Sequence, residues 1–174
     1  MAVADPLDPP LDVLVASHRR ARQQFETMRE LATRAPEAPV DAVARRAGQA
    51  VICAVDQSIR LHHEVEQGVL FPELIESMAG SDPVCLREMI AGLTEGHRAL
   101  ASAWGRLRPA FAALAEGRPA NVGADDVAAL IAQGERVFRR EDDELLPMAN
   151  RLLSDEARHR VAAAMQRPGR DRTT

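Results

Sequence analysis

The chain has 174 residues, of which 46% are hydrophobic and 28% are charged, and only 3% are aromatic. This length predicts one domain with a sizeable core, and the abundance of alanine and leucine favours helices over sheets. The formal net charge is -4 with both signs interspersed, so the composition does not indicate nucleic acid as a partner.

The sequence carries no signal for membrane insertion or export. No apolar run approaches the length of a membrane span, and the start of the chain, MAVADPLDPP, lacks the basic and apolar regions of a signal peptide. The two cysteines, Cys53 and Cys85, do not have a metal-binding spacing, and so few cysteines are typical of a reducing compartment. We therefore predict a soluble cytoplasmic protein with no membrane partner.

Helical periodicity begins after a short N-terminal arm. Residues 1–10 are predicted to be a flexible arm, residues 11–166 a helical domain and residues 167–174 a disordered tail. In the first helix, apolar residues and one histidine recur at steps of three and four. They are Leu11, Leu14, Val15, His18, Ala21, Phe25 and Met28.

Asp41 is the expected N-cap of the second helix. The apolar face of this helix includes His62 and Glu66, which are four residues apart and therefore share one face. Pro72 is expected to kink or end the helix, with a short continuation to about Met78.

The third helix is predicted to begin at Pro83, with Ser81 or Asp82 as its N-cap. It carries the clearest pattern in the chain, because two series of mostly apolar residues each repeat every seven residues. One series is Ile90, His97, Trp104 and Phe111, and the other is Leu93, Leu100, Leu107 and Leu114.

A fourth helix follows the stretch EGRPANVG and extends from about Val127 to Met148. Ser154 is expected to cap a short fifth helix that reaches about Gln166. Four long helices joined by short connections predict an all-α fold, an up-down-up-down four-helix bundle with a short C-terminal fifth helix.

Each of the four long helices places an imidazole or a carboxylate on its inner face. The residues are His18, His62, Glu66, His97 and Glu141. One buried histidine is ordinarily a satisfied core residue, but five buried ligand-type groups without partners would cost several kcal/mol each. A metal site satisfies all of them together, and this mixture of imidazoles and carboxylates suits iron, manganese or zinc.

The inner groups belong to an internal repeat of two helical hairpins. Glu66 precedes Pro72 by six residues, and Glu141 precedes Pro147 by six. Four residues before Glu66 the chain has His62, but four residues before Glu141 it has Val137. The second hairpin therefore keeps its carboxylate and lacks one imidazole.

The run HHEVE at residues 62–66, followed by LFP at 70–72, resembles the signature of the hemerythrin-like, or HHE cation-binding, domains. The segment from Glu141 to Pro147 and the following MANRLL also resemble that family, and the likeness covers roughly residues 11–165. The resemblance implies a four-helix bundle around a non-haem di-iron centre. Members of the family bind or sense oxygen, handle peroxide or nitric oxide, or take part in iron homeostasis.

The resemblance also implies a ligand set. His18 and His62 would serve one iron, His97 would serve the other, and Glu66 and Glu141 would bridge the two ions together with an oxo or hydroxo group. The expected partner is a small oxidant such as dioxygen or peroxide.

Val137 departs from the family pattern, which usually has histidine at this position. Three outcomes stay open: water or another carboxylate fills the gap, the second site stays empty, or a harder cation such as manganese binds there. A mononuclear or metal-free bundle that acts as a structural or interaction module is the alternative function.

The sequence also gives predictions for several residues near the ligand set. Asp142 and Asp143 are predicted to form a solvated face, and Glu144 is a candidate to turn inward as a replacement ligand. His63 is expected to be solvated or to contact a ligand from outside. Gly134 is expected to permit close helix packing or to open space for a ligand.

Overall fold

The computed structural model describes residues 9–78 and 84–166, which form five continuous helical segments. The α-helices are α1 (Pro9–Ala32), α2 (Ala42–Arg60), α3 (Phe71–Ser77), α4 (Val84–Ala115), α5 (Ala124–Arg140), α6 (Leu146–Leu152) and α7 (Asp155–Met165). A first π segment (Leu61–Leu70) joins α2 to α3, and a second π segment (Glu141–Leu145) joins α5 to α6. Strands do not occur in the described ranges, so the all-α prediction is confirmed.

Two predicted helix starts are confirmed by their capping side chains. Asp41 accepts a hydrogen bond of 2.7 Å from the backbone N–H of Ala44, and Ser154 accepts one of 3.2 Å from that of Ala157. The predicted restart at residues 81–83 lies outside the described residues, as do residues 1–8 of the predicted arm and the predicted tail at 167–174.

The four long helical segments surround a common interior. α1 contacts α2 and α5, and α4 contacts the same two helices, which gives a closed ring of neighbours. α7 packs across the first π segment and α1. Within the described ranges, no helix is both long enough and apolar enough to cross a membrane.

The core consists of two apolar clusters stacked along the bundle. One contains Phe25, Trp104 and Phe111, and the other contains Leu70 and Leu145. The continuous helix formed by α5, the second π segment and α6 is called the α5 segment. On α1, α4 and the α5 segment, the boundary between the clusters falls at the inward histidine or carboxylate. The polar groups are therefore gathered at one level of an otherwise apolar interior.

The two prolines of the repeat do not end their helices. Pro72 and Pro147 lie in the first turns of α3 and α6, each just after a π segment. In a regular α-helix a proline ring clashes with the carbonyl four residues earlier and leaves it without a donor. The wider π turn relieves this clash, so Pro72 lies where the helix widens, and the helix continues to Ser77, close to the predicted limit of about Met78.

Candidate metal centre

Five potential metal ligands converge between the two apolar clusters. α1 contributes His18, the first π segment contributes His62 and Glu66, α4 contributes His97, and the second π segment contributes Glu141. None of these side chains is more than 2% exposed. The structure thus brings together all five residues that the sequence singled out.

The carboxylate of Glu141 lies at the centre of the group. Its Oε1 atom is 2.5 Å from Nε2 of His97, and its Oε2 atom is 3.2 Å from Nε2 of His18 and 3.3 Å from Nε2 of His62. Oε2 of Glu66 is 3.4 Å from Nε2 of His97. Nitrogen and oxygen donors from four helical segments therefore face one small volume.

Neither of the buried carboxylate oxygens of Glu66 has a hydrogen-bond partner among the described residues. A buried carboxylate oxygen without a partner is costly, and a bound cation removes that cost by accepting its lone pair. The donor set therefore fits a metal ion, and a mixture of imidazole and carboxylate is suited to iron, manganese or zinc.

Four of the five residues meet the geometric requirement for one shared ion. His18, His62, Glu66 and Glu141 each offer a ligand atom, and these atoms lie within 4.8 Å of one another. His97 lies outside this group of four, although it contacts both carboxylates.

The pKa values of the two glutamates are shifted in opposite directions. Burial, together with the negative charge of Glu141, raises the pKa of Glu66 well above its ordinary value. Burial also opposes ionisation of Glu141, but the neighbouring histidines outweigh it and hold the pKa of Glu141 well below the ordinary value. A dication that binds here displaces the proton favoured on Glu66, so its affinity depends on pH.

The histidines also differ in pKa, because only His18 has an anionic partner, Asp142, on its outer nitrogen. Burial lowers the pKa of His62. Burial acts on His18 in the same direction, but hydrogen bonds to Asp142 and Glu141 outweigh it and raise the pKa of His18.

Asp142 corrects an expectation from the sequence, which placed it on a solvated face. Its Oδ1 atom accepts a hydrogen bond of 2.7 Å from Nδ1 of His18, and its Oδ2 atom accepts one of 2.8 Å from Arg22. Arg22 also donates to Glu135, at 3.2 Å. The outer nitrogen of His18 is thus held by a carboxylate whose position is itself fixed. Asp143, its neighbour, is exposed as predicted.

Gln67 contacts the outer nitrogen of His97, as Asp142 does that of His18. Its amide nitrogen lies 3.0 Å from Nδ1 of His97. A metal bound at Nε2 requires the proton on Nδ1, and half a turn of the Gln67 amide presents its oxygen as the acceptor. His18 and His97 therefore have partners that orient the ring, one charged and one neutral.

The sequence matches the family model "Hemerythrin HHE cation binding domain" over residues 10–149, which is most of the chain. This chain belongs to the hemerythrin HHE cation-binding domain family. The family binds metal cations, and the buried histidines and glutamates lie inside the matched region. Searches of the curated proteins and of the solved structures returned no match.

Aromatic rings close the sides of the hemerythrin-like site. Phe138 stacks on His18 with ring centroids 4.6 Å apart, and Phe71 stacks on His97 at 5.9 Å. These contacts were not anticipated from the sequence, although Phe71 belongs to the LFP of the repeat. They keep water away from one side of each imidazole and restrict its rotation.

None of the neighbours considered from the sequence replaces the missing imidazole. Val137 is buried at the expected position, one turn before Glu141. Glu144 is exposed and pairs with Arg140 at 3.7 Å, and His63 is also exposed. Gly134 lies against Phe25: an added Cβ would be 3.1 Å from Cζ of that ring, which supports the close-packing expectation.

Proposed function

We propose that this hemerythrin-like protein holds non-haem iron, as a di-iron centre, and binds or reacts with a small oxidant such as dioxygen or peroxide. The proposal rests chiefly on the convergence of five buried ligand-type residues, one of which, Glu66, has no hydrogen-bond partner for either carboxylate oxygen among the described residues. We place this activity in the cytoplasm and assign the bundle an up-down-up-down arrangement.

The contacts suggest how the ligands divide. His18 and His62 would bind one iron, and His97 would bind the other. Glu141 would bridge, because its Oε2 atom faces the first two histidines and its Oε1 atom faces the third. Glu66 is proposed as the second bridge.

Iron held in this site would supply the redox chemistry and an open coordination position. The surrounding residues would hold and shield it. Asp142 fixes the ring of His18 so that Nε2 faces the ion, and Gln67 does the same for His97. Phe71 and Phe138 exclude water, which strengthens the electrostatic contacts inside the site.

Metal analysis of the purified chain tests the proposal. Protein from iron-replete cells, prepared without chelators, should contain close to two irons per chain. His62→Ala should lower the content sharply, whereas the exposed His159→Ala should leave it unchanged. Unchanged metal in His62→Ala would place the site elsewhere.

A mononuclear centre is the second candidate, favoured by the group of four residues that excludes His97 and by Val137. In that case the content should stay near one iron, and His97→Ala should not reduce it. A content near zero after reconstitution would favour a metal-free structural or interaction module.

A further inference from the structure

A surface groove of about 460 Å³ lies between α4 and the α5 segment. Gly92, Leu93 and Gly96 of α4 line one side, and Val137 lines the other. Leu93 and Val137, which are nearly buried, and the glycine backbone make much of the inner wall apolar. The amide of Gln133, which donates to the carbonyl of Gly96 at 3.2 Å, lies beside them. A volume of this size accommodates a small organic molecule.

Two glycines one turn apart on α4 let side chains of the α5 segment approach its backbone closely. A Cβ at Gly96 would lie 2.8 Å from Cγ2 of Val137, and a Cβ at Gly92 would lie 2.7 Å from Nη1 of Arg140. The guanidinium of Arg140 therefore lies across the backbone of α4, at a place where any side chain would displace it.

The rim of the groove is more positive than negative. Arg136, Arg139 and Arg140 line it, against Asp143 and Glu144. One of the two acids, Glu144, is paired with Arg140 at 3.7 Å. Guanidinium groups bind carboxylates through paired hydrogen bonds, so this rim suits an anionic group.

The inner wall of the groove borders the metal centre. Val137 lies one helical turn before Glu141, and Gly96 precedes His97 in the chain. A molecule seated against Val137 would therefore lie beside the His97 end of the cluster, where the family pattern has its missing imidazole.

We propose that this groove binds a small amphiphilic carboxylate, with its anionic group held by the arginines of the rim and its apolar part against Leu93 and Val137. The binding uses only residues of α4 and the α5 segment, so it does not depend on the metal.

The test is a calorimetric titration of the full-length chain with benzoate, compared with benzamide and with phosphate. Benzamide has the same apolar ring without the charge, and phosphate has charge without the ring. Benzoate should bind at least about fivefold more tightly than either, because only benzoate satisfies both the rim and the wall. Equal binding of benzamide or of phosphate, or no binding of benzoate, would overturn the proposal.

Two variants locate the site. Arg139→Gln should weaken benzoate binding at least about fivefold, and Arg151→Gln, an exposed arginine outside the groove, should not. Gly92→Ala should also weaken binding, because its Cβ would lie 2.7 Å from Nη1 of Arg140 and would displace a guanidinium of the rim. If these variants bind benzoate as tightly as the parent, the ligand lies elsewhere.

The titration is repeated on metal-stripped and iron-loaded protein. Similar affinities in both are expected. A chain that binds benzoate but no iron would contradict the proposed function and leave the groove proposal standing. A chain that binds iron but no benzoate would contradict the groove proposal and leave the proposed function standing.

Discussion

Nδ1 of His18 lies 2.7 Å from Oδ1 of Asp142, which gives this imidazole a carboxylate on the side opposite the cluster. The same carboxylate receives a hydrogen bond from Arg22 and is therefore held in place. The pKa of Asp142 is lowered: burial opposes its ionisation, but the contacts with His18 and Arg22 outweigh burial. An ionised Asp142 keeps the proton of His18 on Nδ1 and leaves Nε2 free to bind a cation.

Asp142→Asn should therefore weaken metal binding by about 10- to 100-fold, because the amide orients and polarises the ring less strongly. Competition with a chelator of known affinity measures the change. Asp143→Asn is the matched control, since the neighbouring aspartate is exposed. Equal losses in the two variants would indicate a general charge effect and remove the special role of Asp142.

Val137→His should increase the amount of metal bound, by restoring an imidazole one turn before Glu141. Val137→Ile is the control, because it enlarges the side chain without adding a ligand atom. The readout is iron per chain after reconstitution under identical conditions. If the histidine variant binds no more iron than the isoleucine variant, Val137 does not limit occupancy.

Two glycines on the long helices should respond to alanine in opposite directions. Gly105→Ala should raise the free energy of unfolding by about 0.5–1 kcal/mol, because nothing lies within 4 Å of the added Cβ and alanine favours helix. Gly134→Ala should lower it by about 1 kcal/mol, since its Cβ would press on Phe25, which stacks against Phe138. Denaturant unfolding checks both, and stabilisation by Gly134→Ala would mean that the Phe25 ring moves aside freely.

The ion pair of Glu73 with Arg160 should make stability depend on pH. Arg160 contacts both oxygens of Glu73, at 2.5 and 2.7 Å, and this hydrogen bond lowers the pKa of Glu73. A lowered pKa in the folded state contributes stability above the ordinary value of 4.5, and this is lost as pH falls through the folded value.

The melting temperature of Glu73→Gln should therefore be slightly lower than that of the parent at pH 7, and the two melting temperatures should converge in acid. Glu88→Gln, on the exposed face of α4, should follow the parent throughout. A constant difference between Glu73→Gln and the parent from pH 7 to pH 3 would contradict the linkage.

Much of the fold follows from periodicity. The series Leu93, Leu100, Leu107 and Leu114 is buried in α4, as the heptad pattern predicted. The same argument located His97, because a polar residue in an apolar series must face the interior.

Periodicity does not predict the two places where a helix widens from α to π geometry. The backbone N–H of Phe71 bonds to the carbonyl of Glu66, five residues back, and that of Leu146 bonds to the carbonyl of Glu141. Regular α-helical spacing gives the wrong face beyond such a turn. The signal available in the sequence was the proline six residues after each carboxylate.

Asp142 was missed for another reason. It comes directly after Glu141 and is partly buried by contacts with α1, which no pattern within its own helix shows. Those contacts are with His18 and Arg22.

These wide turns have a consequence for how the chain tolerates insertions and deletions. The turn closed by each of the hydrogen bonds that reach five residues back contains one residue more than an α turn and lies between a carboxylate of the site and its proline. Removing one residue from this interval would tighten the turn and rotate everything that follows by about 100°. We therefore expect substitutions at the exposed positions of this interval to be tolerated. A change in its length should disrupt the site as much as replacing Glu66 or Glu141.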